Sequence, residues 1–228
     1  MIQDIFKKVP LFSEMNEEEI KSIVGLATTH NISKNNVIVH AGDDGSAMFI
    51  VLQGSVKISY FAPDGREIIL SLLESGAFFG EMSLLDKQPR SATVTTLEAS
   101  KIAQIRRNDF ERLLSKSPSM SLKLLAEVVS RLRRTSLILE RISTMDVPHR
   151  LYSYLEDFCN RFGKETAEGC IIKLPTHQMM ADQLSTSRET ISRAISSLKK
   201  ESIIMPTSTS REVCIDIDAI ETLLLALE

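Results

Sequence analysis

The chain has 228 residues, with 27 Lys and Arg against 30 Asp and Glu, a formal charge of −3. At about 150 residues per domain this is one large domain or two modest ones, and the 43% hydrophobic content excludes an intrinsically disordered chain. Cys159, Cys170 and Cys214 show no C-x-x-C or C-x-x-C-H spacing, which removes a disulfide framework and the usual zinc, iron–sulfur and haem-attachment motifs. The thiols fit a reducing compartment, the N-terminal MIQDIFKKVPLF has no apolar signal core, and no apolar run nears the ~20 residues of a membrane span. A soluble cytoplasmic protein with no membrane partner is expected.

In chain order, residues 1–29 read as short helices, with Asn16 capping a helix whose first turn is Glu17-Glu18-Glu19. From Val37 to Ile105 the pattern changes to short β-rich segments (VIVH, MFIVLQG, VKISYF, EIILSLL, ATVTTL). Between them lie AGDDG, Gly54, Pro63-Asp64-Gly65 and Ser75-Gly76. Short strands with turn signals every eight to twelve residues or so predict a sandwich or barrel. From Pro118 to Thr144, Leu125, Val128, Leu132, Thr135, Leu139 and Ile142 recur at steps of three and four. That stripe predicts a long helix that pairs with its twin in a homodimer; packing of the helix on its own β domain is the alternative. Asp146-Val147-Pro148 breaks the helix and marks a hinge. A further amphipathic helix covers 149–162, with Leu151, Tyr154, Leu155 and Phe158 on one face, and residues 163–169 read as a polar loop. Two helices joined by Ser185-Thr186 occupy 175–201, and a hairpin around Thr207-Ser208-Thr209-Ser210 spans 203–217. The expected domains are 1–117, 118–145 and 146–228.

Three groups of residues carry chemistry. In Phe78-Phe79-Gly80-Glu81-Met82-Ser83-Leu84-Leu85, followed by Pro89-Arg90-Ser91-Ala92, Gly80 permits close backbone approach. The short helical piece after it aims N–H groups at an anion. Arg90 offers a planar fork for phosphate, Ser91 a hydroxyl, and Glu81 an acceptor for a sugar hydroxyl. A surface turn with a Glu–Arg ion pair reads equally well from the chemistry alone. In the long helix, Thr135 takes a seam position that should be apolar, and Ser136 follows it. A ligand against the seam would give both hydroxyls partners, although one Thr is also an ordinary helix imperfection. In 175–201, Thr176 caps the first helix and Ser187 opens the second. Ile191, Ile195 and Leu198 share one face, leaving Arg188, Glu189 and Arg193 on another. Arg suits guanine and Glu suits cytosine in a major groove, while Thr176, His177 and Gln178 suit phosphate. A helix hairpin with a solvated face is the alternative, since residues 147–228 carry 9 basic against 12 acidic side chains. The second helix, however, has Arg188, Arg193, Lys199 and Lys200 against Glu189 alone, and fields at a groove are local.

The first stretch closely resembles the phosphate-binding cassette of cyclic-nucleotide-binding domains. That cassette runs F-G-E, then L/M-A/S-L, then P-R-S/A-A. The segment Ser187-Arg188-Glu189-Thr190-Ile191-Ser192-Arg193 resembles the recognition-helix start of CRP/FNR regulators, and the likeness extends from Ile5-Phe6-Lys7-Lys8-Val9-Pro10-Leu11-Phe12 to the last hairpin, which resembles a wing. The resemblance implies an α+β fold with an N-terminal β jelly roll, a long dimerisation helix and a C-terminal winged helix-turn-helix. It implies a cyclic nucleotide as allosteric effector, cyclic AMP in the first place, with Gly80 and Met82 in the pocket. Glu81 would take the ribose 2′-hydroxyl, Arg90 and Ser91 the cyclic phosphate, and Thr135 and Ser136 the base. Arg188, Glu189 and Arg193 would read bases of a palindromic duplex with TGTGA-like half-sites, with Ser187 and Thr190 at the same interface. RNA polymerase enters as a candidate partner at the polar loop 163–169. Another nucleotide, a haem held by His30 or His40, or no effector at all are the alternatives. No metal is expected. Nor is an enzyme, since no P-loop, G-x-S-x-G or H-E-x-x-H occurs.

Overall fold

The computed structural model describes residues 2–209 and 212–225. The chain divides into two compact units, residues 1–133 and 134–228.

The first unit opens with α1 (Ile2–Lys8), a 3₁₀ turn (Pro10–Phe12) and α2 (Glu17–Leu26). Asn16 caps α2 in a complete capping box: its side chain accepts from Glu19 N at 2.9 Å, and Glu19 Oε2 accepts from Asn16 N at 2.8 Å. The helical reading of residues 1–29 runs too far, because Thr28 and Thr29 already belong to β1 (Thr28–Ile32). Their branched side chains suit a pleated surface better than a helix. There follow β2 (Val37–Val39), β3 (Ala47–Gln53), β4 (Ser55–Phe61), β5 (Glu67–Glu74), β6 (Phe78–Phe79), α3 (Met82–Leu85), β7 (Thr93–Thr96) and β8 (Ser100–Arg106). They form two antiparallel four-stranded sheets, ordered β1-β8-β3-β6 and β2-β7-β4-β5, the strand order of a jelly roll. Pro63-Asp64-Gly65 turns β4 into β5, with Gly65 at φ +83°.

Strand β3 explains its own unbroken apolar run. Ala47, Phe49 and Val51 enter the core between the sheets, while Met48, Ile50 and Leu52 enter a second core outside them. A strand covered on both faces has no polar side to alternate with. The outer core gathers Phe6, Phe12, Ile20 and Phe110. It also takes Met120 and Leu124 from the start of the long helix. Phe110 sits on α4 (Arg107–Lys116), and the long helix is α5 (Pro118–Thr144), unbroken over 27 residues. On α5, Leu125, Leu132, Leu139 and Ile142 are exposed, whereas Val128 turns onto the outer core.

The second unit holds the end of α5 and then α6 (Val147–Phe162), β9 (Lys164–Thr166), β10 (Gly169–Ile172), α7 (His177–Leu184), α8 (Arg188–Lys200), β11 (Ile204–Pro206), β12 (Val213–Ile215) and α9 (Ile217–Leu225). Asp146 caps α6, accepting from His149 N at 3.1 Å, and Pro148 sits in its first turn, where no N–H is needed. The break at 146–148 is thus a helix restart. Arg141 of α5 pairs with Asp157 of α6 across it at 2.5 Å.

Residues 163–169 are a tight β9–β10 hairpin and not an open loop. The strands join β12 and β11 in one antiparallel sheet, β11-β12-β10-β9. The hairpin at 203–217 is present as β11 and β12, but Ile217 already begins α9, and Ser210 in its turn lies outside the described residues. Leu151, Leu155, Met180, Ala181, Ile191, Ile195, Leu198, Ile215 and Ile220 make the core. Among the described residues, no helix is long and apolar enough to cross a membrane, and no cluster of His, Cys, Asp and Glu could hold a metal ion.

Candidate functional site

The cassette leaves the jelly roll at the end of β6. Gly80 takes φ +81°, and a Cβ there would stand 2.6 Å from Arg90 Nη1, so residue 80 must be glycine on two counts. α3 then runs for a single turn, and the chain returns through Pro89 to Arg90, which is only 7% exposed. Its guanidinium is fixed from two sides. Nη1 donates to Gly80 O at 2.6 Å and to Ser83 Oγ at 2.8 Å, and Nη2 donates to Ala47 O at 2.6 Å. The backbone of Arg90 is also tied down, its N–H donating to Asp43 O at 2.8 Å and its carbonyl accepting from Gly42 N at 2.8 Å. The bonded acceptors are neutral, and among the described residues no carboxylate pairs with this buried cation. Burial accordingly lowers its pKa, against the field of Glu81.

Glu81 is 2% exposed. Its Oε1 accepts from Arg131 Nη1 of α5 at 3.0 Å, and its Oε2 is buried with no hydrogen-bond partner among the described residues. Desolvation raises its pKa despite the nearby Arg131. Arg131 also donates to Phe78 O at 2.9 Å and to Glu127 at 2.9 Å, and its guanidinium lies 4.7 Å from the Phe78 ring centre. A buried guanidinium lacking a counter-charge and a buried carboxylate oxygen lacking a donor are each costly alone. An occupant with an anionic group and a hydroxyl would relieve both, so these residues fit the cyclic phosphate and ribose of a nucleotide. Ser91 and Met82 lie at the exposed rim, the Ser91 hydroxyl 3.8 Å from Met82 Sδ.

Sequence reasoning missed Ser83, Arg107 and the partnership of Arg131 with Glu81. Glu81 and Arg131 stand 50 residues apart, and only the fold joins them. Thr135 and Ser136 are exposed on the part of α5 that belongs to the second unit. His30, one of the two candidate haem ligands, bonds through Nε2 to Gln104 at 3.0 Å.

The second unit carries the helix-turn-helix. Thr176 caps α7, its hydroxyl accepting from Met179 N at 3.2 Å. Ser185 ends α7 in the left-handed region at φ +52°, and Thr186 N returns to Ala181 O at 3.1 Å. Ser187 caps α8, accepting from Thr190 N at 3.1 Å, with the two hydroxyls 2.9 Å apart. Ser187 and Thr190 therefore build the helix start, whatever else they touch. Gln178 is held by Asp182 at 2.7 Å. Ile191, Ile195 and Leu198 are buried, which turns Arg188, Glu189 and Arg193 toward the other faces of α8. Burial, with Lys199 and Arg188 nearby, lowers the pKa of His177.

A jelly roll with a buried guanidinium, followed by a long helix and a winged helix-turn-helix, is the architecture of a DNA-binding regulator with a cyclic-nucleotide-binding-type domain. Residues 29–117 match the cyclic nucleotide-binding domain and residues 149–224 the Crp-like helix-turn-helix domain. The chain is 32% identical over 177 residues to the cAMP-activated global transcriptional regulator CRP of Haemophilus influenzae, covering 77% of this chain and 79% of that one. It is 28% identical over 197 residues to the CRP-like cAMP-activated global transcriptional regulator of Mycobacterium tuberculosis, covering 85% and 87%. In fold it is similar to the c-di-GMP responsive global regulator CLP of Xanthomonas campestris, with a TM-score of 0.73 at 21% identity over 88% of this chain and 99% of that one. The chain belongs to the CRP/FNR family of DNA-binding transcription regulators.

Proposed function

We propose that this protein is a cytoplasmic homodimer switched by a cyclic nucleotide, cyclic AMP first, that binds a palindromic duplex with TGTGA-like half-sites. The observation that carries the effector is the pairing of two deficits in one stretch of chain after β6: Arg90, buried with no carboxylate bonded to it, and Glu81 Oε2, buried without a donor. Arg90 and Ser91 would hold the phosphate and Glu81 the ribose, beside Gly80 and Met82. Thr135 and Ser136, one from each subunit, would meet the base. The names of the Haemophilus and Mycobacterium relatives support cyclic AMP over other nucleotides.

The dimer is supported by the stripe on α5. Leu125, Leu132 and Leu139 are each more than half exposed, and covering what remains of each would contribute about 1–2 kcal/mol to the assembly. In this reading the parts are 1–117, 118–145 and 146–228, the hinge at 146–148 joins the last two, and nucleotide binding favours one register of the paired helices. The recognition helices then stand about 34 Å apart, the spacing of adjacent major grooves. Arg188, Glu189 and Arg193 read bases, and Thr176, His177 and Gln178 contact phosphate beside Ser187 and Thr190. The β9–β10 hairpin is offered as the surface for RNA polymerase.

A thermal-shift panel of cyclic AMP, cyclic GMP and c-di-GMP tests the reading. Cyclic AMP should raise the melting point as its concentration rises and should tighten binding to a TGTGA-containing duplex. A panel with no shift would overturn the effector assignment. A shift with no change in duplex affinity would overturn the switch.

A further inference from the structure

Arg107 stands outside the cassette, at the first position of α4, yet its guanidinium reaches into it. Nη1 donates to Leu84 O at 3.0 Å, and Nη2 donates to Ser83 O at 2.9 Å and to Gly45 O at 2.5 Å. These are carbonyls that α3, four residues long, cannot satisfy itself, together with one from the loop before β3. The Arg107 backbone N–H donates to Ser46 O at 2.9 Å, so both ends of the residue grip the same loop. Ser83 is the shared node. Its carbonyl is held by Arg107, and its hydroxyl accepts from Arg90 Nη1. The node has no slack: a Cβ on Gly45 would lie 2.1 Å from Ser83 Oγ and 3.3 Å from Arg90 Cζ. The Arg107 cation is also close enough for its field to act against the charge on Arg90, so the two guanidiniums are held near each other by their shared backbone acceptors and Ser83 rather than by charge.

We propose that Arg107 is a positioning residue for anion recognition: it anchors the end of α3 so that Ser83 Oγ and Gly80 O hold the Arg90 fork in one plane, and it touches no part of the ligand. The proposal rests on the cyclic-nucleotide reading above and adds the device that aims its central cation. It also makes the first residue of α4 part of the pocket, so that the angle at which α4 leaves β8 and the pose of Arg90 are set together. A single planar fork reaching three carbonyls is a task that a lysine ammonium performs only in part.

The test compares the two phosphorothioate diastereomers of cyclic AMP, which differ in which exocyclic oxygen is replaced by sulfur. A fixed Arg90 fork distinguishes them; a loosened one does not. Calorimetry on the full-length chain should find a preference for one diastereomer in the wild type. Arg107→Met should lower cyclic AMP affinity about tenfold, the scale of one hydrogen bond to a charged group, and bring the diastereomer ratio toward one. Ser83→Ala should move the ratio the same way, and Arg107→Lys should restore part of it. The double variant Ser83→Ala/Arg107→Met should lose less than the product of the single losses. If both diastereomers lose affinity equally in Arg107→Met, Arg107 is merely structural and the proposal is overturned. If Arg107→Met does not fold, Ser83→Ala and Arg107→Lys decide in its place: an unchanged ratio in both overturns the proposal. If the wild type binds neither diastereomer nor cyclic AMP, the failure belongs to the effector reading itself.

Discussion

The two units treat their candidate site residues in opposite ways. In the first, Arg90 and Glu81 are withdrawn from water, and each lacks something a ligand could supply. In the second, Thr176, Gln178, Ser187 and Thr190 lie at or near the surface and are already hydrogen-bonded along their own helices. A small anion that must be recognised whole calls for an enclosed site that is poorly satisfied without it. A duplex read from one side calls for a rigid face whose shape exists before contact. The first arrangement stores its specificity in unmet demands and the second in prior order.

The sharpest way to break this contrast is Arg90→Leu. It should lower cyclic AMP affinity by about a hundredfold or more, since it deletes a charged fork from a desolvated site, while sedimentation still finds a folded dimer. Undiminished binding in calorimetry would remove the enclosed-anion account. Next, Arg188→Ala should cost about 1–3 kcal/mol on the cognate duplex and relax preference at one base pair. A uniform loss over all sequences would make Arg188 a phosphate contact instead. Ser187→Ala should lower stability by about 1 kcal/mol in urea unfolding through loss of the α8 cap, and duplex affinity should fall with it; an unchanged midpoint would deny that prior order matters here.

The smallest effect is a slope. The Glu81 carboxyl is raised above its ordinary value by burial. Its contribution to stability is therefore full below the ordinary carboxylate range and is lost as pH rises through the raised value. Glu81→Gln without nucleotide should gain stability over the wild type as pH climbs above the ordinary carboxylate range, while binding cyclic AMP less tightly. Parallel pH profiles for the two proteins would mean that Glu81 carries no such strain.

What could be read from the sequence is what lies contiguous in it. The cassette, the capped helix pair and the α5 stripe are each one uninterrupted segment whose residue types declare their geometry. Arg131 and Arg107 could not be read, because their acceptors become neighbours only once the jelly roll closes. β9 was hidden by exposure: Lys164, Glu165 and Thr166 face solvent throughout, so no alternation betrays a strand. α9 did leave a signal. Asp216 Oδ1 accepts from Ala219 N at 3.0 Å, and an Asp before the run Ile217–Leu225 is an ordinary helix start that the hairpin reading swallowed.

The contact between Gly45 and Ser83 has a consequence for descent. A methyl group at position 45 would meet not only the Ser83 hydroxyl at 2.1 Å but also its Cβ at 2.5 Å. Even alanine at 83 would collide with it, and only glycine would leave room. A lineage that gains a side chain at 45 must therefore move or shorten the one at 83, and with it the hydroxyl that steadies Arg90. Substitution at one of the two positions therefore changes the space at the other and the support under Arg90.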